Sequence, residues 1–132
     1  MSAPTKTVGV IGGLGPAATL DFFDRILKRT KAVNDQDHLR LIIDNNTKVP
    51  DRNAASKGDG PSPGSVIAKS ARGLQDAGAE FVVMACNAAH AYEPEIRGAI
   101  TVPFISMTSE TVSAVAEYRP ARAGVLAADA CL

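Results

Sequence analysis

Several side chains that can move a proton or hold a carboxylate fall together in this sequence. Cys86 opens the run Cys86-Asn87-Ala88-Ala89-His90. It directly follows the apolar stretch Phe81-Val82-Val83-Met84-Ala85, which reads as a buried strand. The thiol therefore falls at a strand's C-terminal end, and ligands of open α/β sheets bind just outside those ends. A thiol there is partly exposed and near helix N-termini, which favour thiolate. Asn87 adds donors and an acceptor for a substrate head group. Against this stands the commoner use of a lone cysteine as a small buried hydrophobe. His90 raises the idea of a Cys–His acyl-transfer pair, but four residues in a turn do not assure contact.

Three other segments have the same kind of placement. Gly12-Gly13-Leu14-Gly15-Pro16 separates the strand-like Val8-Gly9-Val10-Ile11 from a helical pattern. Glycines there let backbone N–H groups approach an anion in front of a helix N-terminus. The run is not a P-loop, because no Gly-Lys-Ser/Thr follows, and the dinucleotide G-x-G-x-x-G spacing fails. A ligand-free strand–helix turn is the alternative. Asp44-Asn45-Asn46 ends a second apolar run, and Arg52 follows on a loop where its fork can meet a carboxylate; pairing of Asp51 with Arg52 at the surface is the plainer reading. Ser106-Met107-Thr108-Ser109-Glu110 feeds a fourth helix. Its hydroxyls and amides can hold a carboxylate or simply cap the helix, with Thr108 the expected cap.

The elements that must position these groups alternate along the chain. Apolar runs at 7–11, 39–44, 81–85, 102–105 and 123–126 predict five strands. Pro16, the Ser62-Pro63 pair, the Glu93-Pro94 pair and Thr108 open the helices between them. Gly78 supplies a left-handed stop for the second helix, and Pro120 stops the fourth. The pattern predicts a doubly wound, mainly parallel α/β sheet flanked by helices. Residues 45–64 resist assignment and read as a polar loop of a length that is usually functional or disordered. The run at 123–126 looks like a new strand opening. The expected organisation is a first α/β domain at 1–121 and the opening strand of a truncated second domain at 122–132.

Composition narrows the class. The 132 residues suit one core, with 45% hydrophobic and 21% charged residues and a formal net charge of zero. Zero net charge leaves no footprint for nucleic acid or an anionic membrane. No apolar run approaches a membrane span, and residues 1–7 carry no signal segment. A cytoplasmic location is the expectation. Cys86 and Cys131 are too few for a disulfide scaffold and match no zinc spacing, so both are expected as free thiols.

Taken in order, these segments resemble the aspartate/glutamate racemase family, in its aspartate racemase branch. The resemblance rests on Val8 through Pro16, Asp44-Asn45-Asn46, Val49-Pro50-Asp51-Arg52, Asp76 through Phe81, Cys86 through His90, and Val102-Pro103-Phe104-Ile105-Ser106-Met107. It implies a two-domain enzyme about twice this size, with one catalytic cysteine from each domain. The two thiols act as acid and base on opposite faces of the α-carbon, a task suited to a group ionising near pH ~8.5. The resemblance also implies no cofactor, neither pyridoxal phosphate nor metal, and a homodimer with a small acidic amino acid as substrate. It makes Cys86 the first catalytic cysteine. Asn87 and Ala88 adjoin it, Arg52 recognises the side-chain carboxylate, and Gly13, Leu14, Gly15 and Asn45 line the pocket.

Two positions depart from the family pattern. Ala88 replaces a common threonine, removing a hydrogen bond of about 0.5–1.5 kcal/mol. A Gly-Cys-Thr-Glu type segment with the second cysteine is absent, and Cys131 is not its equivalent. This chain alone is expected to be inactive as a two-base racemase. A related decarboxylase, isomerase or hydantoin racemase stays open, as does a non-catalytic dicarboxylate-binding module.

Overall fold

The computed structural model describes residues 5–128 and 131. Strand β1 (Val8–Gly12) leads into helix α1 (Pro16–Arg29), then β2 (Leu41–Asn45) and the short α2 (Arg52–Ser56). Helix α3 (Gly64–Asp76) precedes β3 (Phe81–Met84), a 3-10 turn at Ala88–Tyr92 and α4 (Glu93–Ala99). Strand β4 (Phe104–Ile105) and helix α5 (Met107–Glu117) follow. All strand pairs are parallel, in the order β2-β1-β3-β4. This is the α/β architecture that alternating apolar runs and helical stripes dictate.

Alternation along each strand sorts the two faces of the sheet. Ile11, Val82, Met84 and Phe104 point to one side, where they pack with Ile67, Ala71 and Leu74 of α3 and Ile96 of α4. Fully buried aliphatics such as Ile11, Ile67 and Ile96 each contribute about 2 kcal/mol. Gly9 lets α3 close on β1: a Cβ there would lie 2.9 Å from the Ala79 Cβ. The opposite face is thinly covered. Only Thr19 of α1 is buried, Leu20 is 69% exposed, and α5 has no buried residue at all. The core therefore lies almost wholly between the sheet and α3–α4.

Three sequence expectations are corrected. The strand at 123–126 does not form; residues 122–128 carry no secondary structure, and Leu126 is fully exposed. A strand needs an edge to pair with, and this segment has none. Residues 129, 130 and 132 of the expected domain opening lie outside the described residues. The polar stretch 45–64 is not all loop, because Asp51 caps α2 by accepting from the Ala54 N–H at 2.8 Å. Helix α5 is capped by Ser106 rather than Thr108. It ends at Glu117, before Pro120, with Arg119 in the left-handed region. Gly78 does adopt the expected positive φ, +99°. No described helix is long and apolar enough to cross a membrane.

Candidate active site

Parallel strands in register bring four loops to one edge of the sheet. Gly12 pairs with Asn45, Ile11 with Met84, and Val83 with Ile105. The strand order then sets the loops side by side: Asn45-Asn46, Gly12 to Gly15, Cys86-Asn87 and Ser106-Met107. After β1 the chain crosses to one side for β2 and to the other for β3, so the crevice between β1 and β3 is the topological switch point. The glycine loop and Cys86 flank that crevice.

The glycine loop is shaped by close packing. Gly13 has φ +85°, and a Cβ on it would lie 2.6 Å from the Asn46 backbone nitrogen. Only glycine permits both the conformation and the contact. The Gly13 N–H donates to Thr19 Oγ1 at 2.9 Å, and Thr19 Oγ1 donates to the Gly15 carbonyl at 3.0 Å. That amide is thus engaged, and ligand donation falls to the rest of the loop. Leu14 sends its side chain into the core and leaves its backbone at the rim. Thr19 was not singled out in the sequence; its signal is a threonine four residues after the helix-opening glycine, placed to bond back to it.

Cys86 is half-buried and free, with one side against the core cluster. His90 does not serve its thiol. The Nδ1 of His90 lies 2.7 Å from the Cys86 carbonyl, and its Nε2 accepts the Met107 N–H at 3.0 Å. A carbonyl only accepts, so these partners set the neutral Nδ1–H tautomer. The ring, tilted 42° to that of Phe104 with centroids 5.7 Å apart, ties the cysteine loop to the start of α5. Both ring nitrogens are used, which removes the acyl-transfer pair. Asn87 is exposed and borders a cavity of about 800 Å³ formed with α5 and residues 119–127. Ala88 begins the 3-10 turn and is half-buried.

Arg52 reaches the glycine loop from α2. Its Nη2 donates to the Leu14 carbonyl at 2.9 Å and its Nη1 to the Pro50 carbonyl at 3.4 Å. Its Nε is buried without a partner. Helix α2 packs beside the 3-10 turn that follows Cys86. The guanidinium and the thiol thus border the same loop cluster. Asp51, next to Arg52, is not its ion-pair partner; the Ala54 N–H holds the Asp51 carboxyl below its ordinary value.

At the α5 end the capping reading prevails. Ser106 Oγ accepts from the Ser109 N–H at 3.4 Å, and His90 holds the Met107 N–H. Burial pushes the Glu93 carboxyl up, but hydrogen bonds from Ser106 and Arg97 and the charge of Arg97 outweigh it and hold Glu93 below its ordinary value. Sequence reasoning missed Glu93 as a partner because it reads there as a helix-opening residue. Among the described residues no His/Cys/Asp/Glu cluster could hold a metal ion.

The parallel sheet thus holds a thiol at its switch point, flanked by a glycine loop and an anchored arginine. The Asp/Glu/hydantoin racemase family profile matches residues 11–130, and the chain belongs to that family. It is 29% identical over 113 residues to the broad specificity amino-acid racemase RacX of Bacillus subtilis (strain 168), covering 82% of this chain and 48% of that one. The structure of the Picrophilus torridus aspartate racemase superposes with a TM-score of 0.80 at 34% identity, covering 86% of this chain and 48% of that one. An aspartate racemase homologue from Pyrococcus horikoshii shares the fold, with a TM-score of 0.69 at 20% identity over 86% of this chain and 50% of its own. The chain thus spans about half the length of these relatives.

Proposed function

We propose that this chain is the Cys86-bearing half of a cofactor-independent racemase acting on an acidic amino acid, aspartate or glutamate. The observation that carries the reading is the half-buried free thiol at the switch point, between the glycine loop and α5, with Arg52 fastened to that same loop. Family membership supports racemase chemistry; the substrate and the two-thiol route are the proposal's own.

In this reading Cys86 thiolate removes the α-proton from one face of the substrate, and a second thiol outside these 132 residues returns a proton to the other. Arg52 has an unsatisfied buried Nε, and a carboxylate drawn against the guanidinium would supply its missing acceptor. Asn87 addresses the substrate's other polar groups. His90 holds the Cys86 backbone without taking part in proton transfer. Residues 1–121 form the first domain, and 122–132 lead toward the second.

The test is interconversion of D- and L-aspartate and of D- and L-glutamate, followed by chiral chromatography, on the protein carrying both halves. Cys86→Ser is expected to lower the rate by about 10²–10⁴-fold, the usual worth of a positioned acid/base. Undiminished interconversion in that variant overturns the assignment. Ala88 favours a second reading, a hydantoin as substrate, because the hydroxyl common in amino-acid racemases of this family is missing at that position. Turnover of a 5-substituted hydantoin with none of aspartate or glutamate selects it.

A further inference from the structure

We propose that Thr19 is a positioning residue for Arg52, acting on it through the glycine loop; the inference rests on the racemase reading, in which Arg52 meets a carboxylate of the substrate. Thr19 is 5% exposed and is the one buried residue of α1. Leu20 beside it is 69% exposed, and the rest of the helix is half-buried or exposed. What α1 buries is therefore a hydroxyl, and a buried hydroxyl needs partners.

Its partners are the two residues that bracket Leu14. The hydroxyl accepts the Gly13 N–H at 2.9 Å and donates to the Gly15 carbonyl at 3.0 Å. The second bond alone would be the ordinary back-bond of a threonine to the carbonyl four residues earlier. The first is not, because Gly13 lies outside the helix and the bond is buried. The Thr19 N–H already donates to the Gly15 carbonyl at 3.1 Å, so the first turn of α1 closes without the hydroxyl. The side chain thus serves the loop. With Gly13 and Gly15 both fastened, the Leu14 carbonyl between them has a set direction, and it accepts Arg52 Nη2 at 2.9 Å.

Arg52 depends on that carbonyl. Its other bond, from Nη1 to the Pro50 carbonyl, is 3.4 Å long and reaches back only two residues. Bonds of that length are weak. The Nε is buried without an acceptor, so the guanidinium is held by where its Nη atoms are fastened. A carboxylate drawn to that Nε meets a fork already oriented, which lowers the ordering cost of binding. Deleting the Thr19 hydroxyl frees the loop and, with it, the guanidinium. An arginine that holds a spectator carboxylate binds ground and transition states alike, so the loss falls on KM rather than on kcat.

Thr19→Val and Thr19→Ser, made in the protein carrying both halves and assayed by interconversion of D- and L-aspartate, test this. Thr19→Val keeps the shape and deletes the hydroxyl, so KM should rise about tenfold with kcat within about twofold of the parent. Thr19→Ser keeps the hydroxyl and should stay near the parent. In an Arg52→Gln background Thr19→Val should add no further rise in KM, because its effect passes through that arginine. If Thr19→Val fails to fold, Thr19→Ala carries the same comparison. Should the parent interconvert neither aspartate nor glutamate, the racemase reading fails, and the Arg52 Nε–H resonance of the 132-residue chain decides alone. Thr19→Val should shift or broaden it, and Thr19→Ser should leave it in place. A fall in kcat at constant KM, effects of Thr19→Val and Arg52→Gln that multiply, or an unmoved Arg52 resonance would each overturn the proposal.

Discussion

His90 spends both ring nitrogens on backbone, one on the Cys86 carbonyl and one on the Met107 N–H. Replacing it by phenylalanine keeps the contact with Phe104 and deletes both bonds. Two part-buried backbone groups then lose their partner, at about 0.5–1.5 kcal/mol each. His90→Phe should lower the melting temperature and, in the catalytically complete protein, reduce kcat more than KM, because the thiol loses its positioning and the substrate keeps Arg52. A variant with normal kcat would show that the His90 bridge serves the fold alone. Gly13 makes a sharper case. Gly13→Ala demands a positive φ and drives a methyl into the Asn46 backbone, so it should cost well over about 1 kcal/mol in urea unfolding. Gly15, whose Cβ direction is open, should tolerate alanine far better by the same measurement.

At the scale of elements, the junction of α4 with α5 depends on Glu93. Its carboxyl is 2.7 Å from Arg97 and sits near Ser106, the cap of α5. The folded protein holds this carboxyl below its ordinary value of 4.5. A depressed acid stabilises the fold fully above that value, and the contribution is lost as pH falls through the lower folded one. Urea midpoints of the parent and of Glu93→Gln should therefore differ at neutral pH and converge in acid, below the ordinary carboxyl value. A gap of constant size would place the effect of Glu93 elsewhere than in its charge. The sequence made the elements legible where local chemistry was strong: the apolar runs gave β1, β2, β3 and β4 to within two residues, and the prolines gave the starts of α1 and α4. It missed α2, because five residues without an apolar stripe show no period, and the Asp51 cap needs Ala54 in space to be recognised. It read a strand at 123–126 from composition, yet pairing is a property of a partner edge. At the site, the placement of Cys86 followed from the end of β3, while the position of Arg52 on α2 rather than a loop, the engaged Gly13 amide and the structural use of His90 required atoms to be seen.

On the scale of the whole molecule, the uneven coverage of the sheet governs behaviour. One face is sealed by α3 and α4, and the other carries α1 loosely and α5 without a single buried residue. Val112 is 69% and Val125 69% exposed, so apolar groups of α5 and of the following segment stand in water. An eleven-residue helix is below the length of about 12–15 residues at which isolated helices hold in water, and tertiary packing normally supplies the difference. Here that packing is missing except at the Ser106–Met107 end, where His90 grips the first turn. Hydrogen exchange on this chain should thus show amides of 111–117 opening orders of magnitude faster than those of β1, β3 and α3, with Met107 slower than the rest of α5. Adding the second half that the proposed racemase requires should slow the 111–117 amides if that half docks on this face, while leaving the β1 and α3 amides as they were. Strong protection of 111–117 in the chain by itself would mean that this helix is already covered, and the division of the molecule into one sealed and one open face would be wrong.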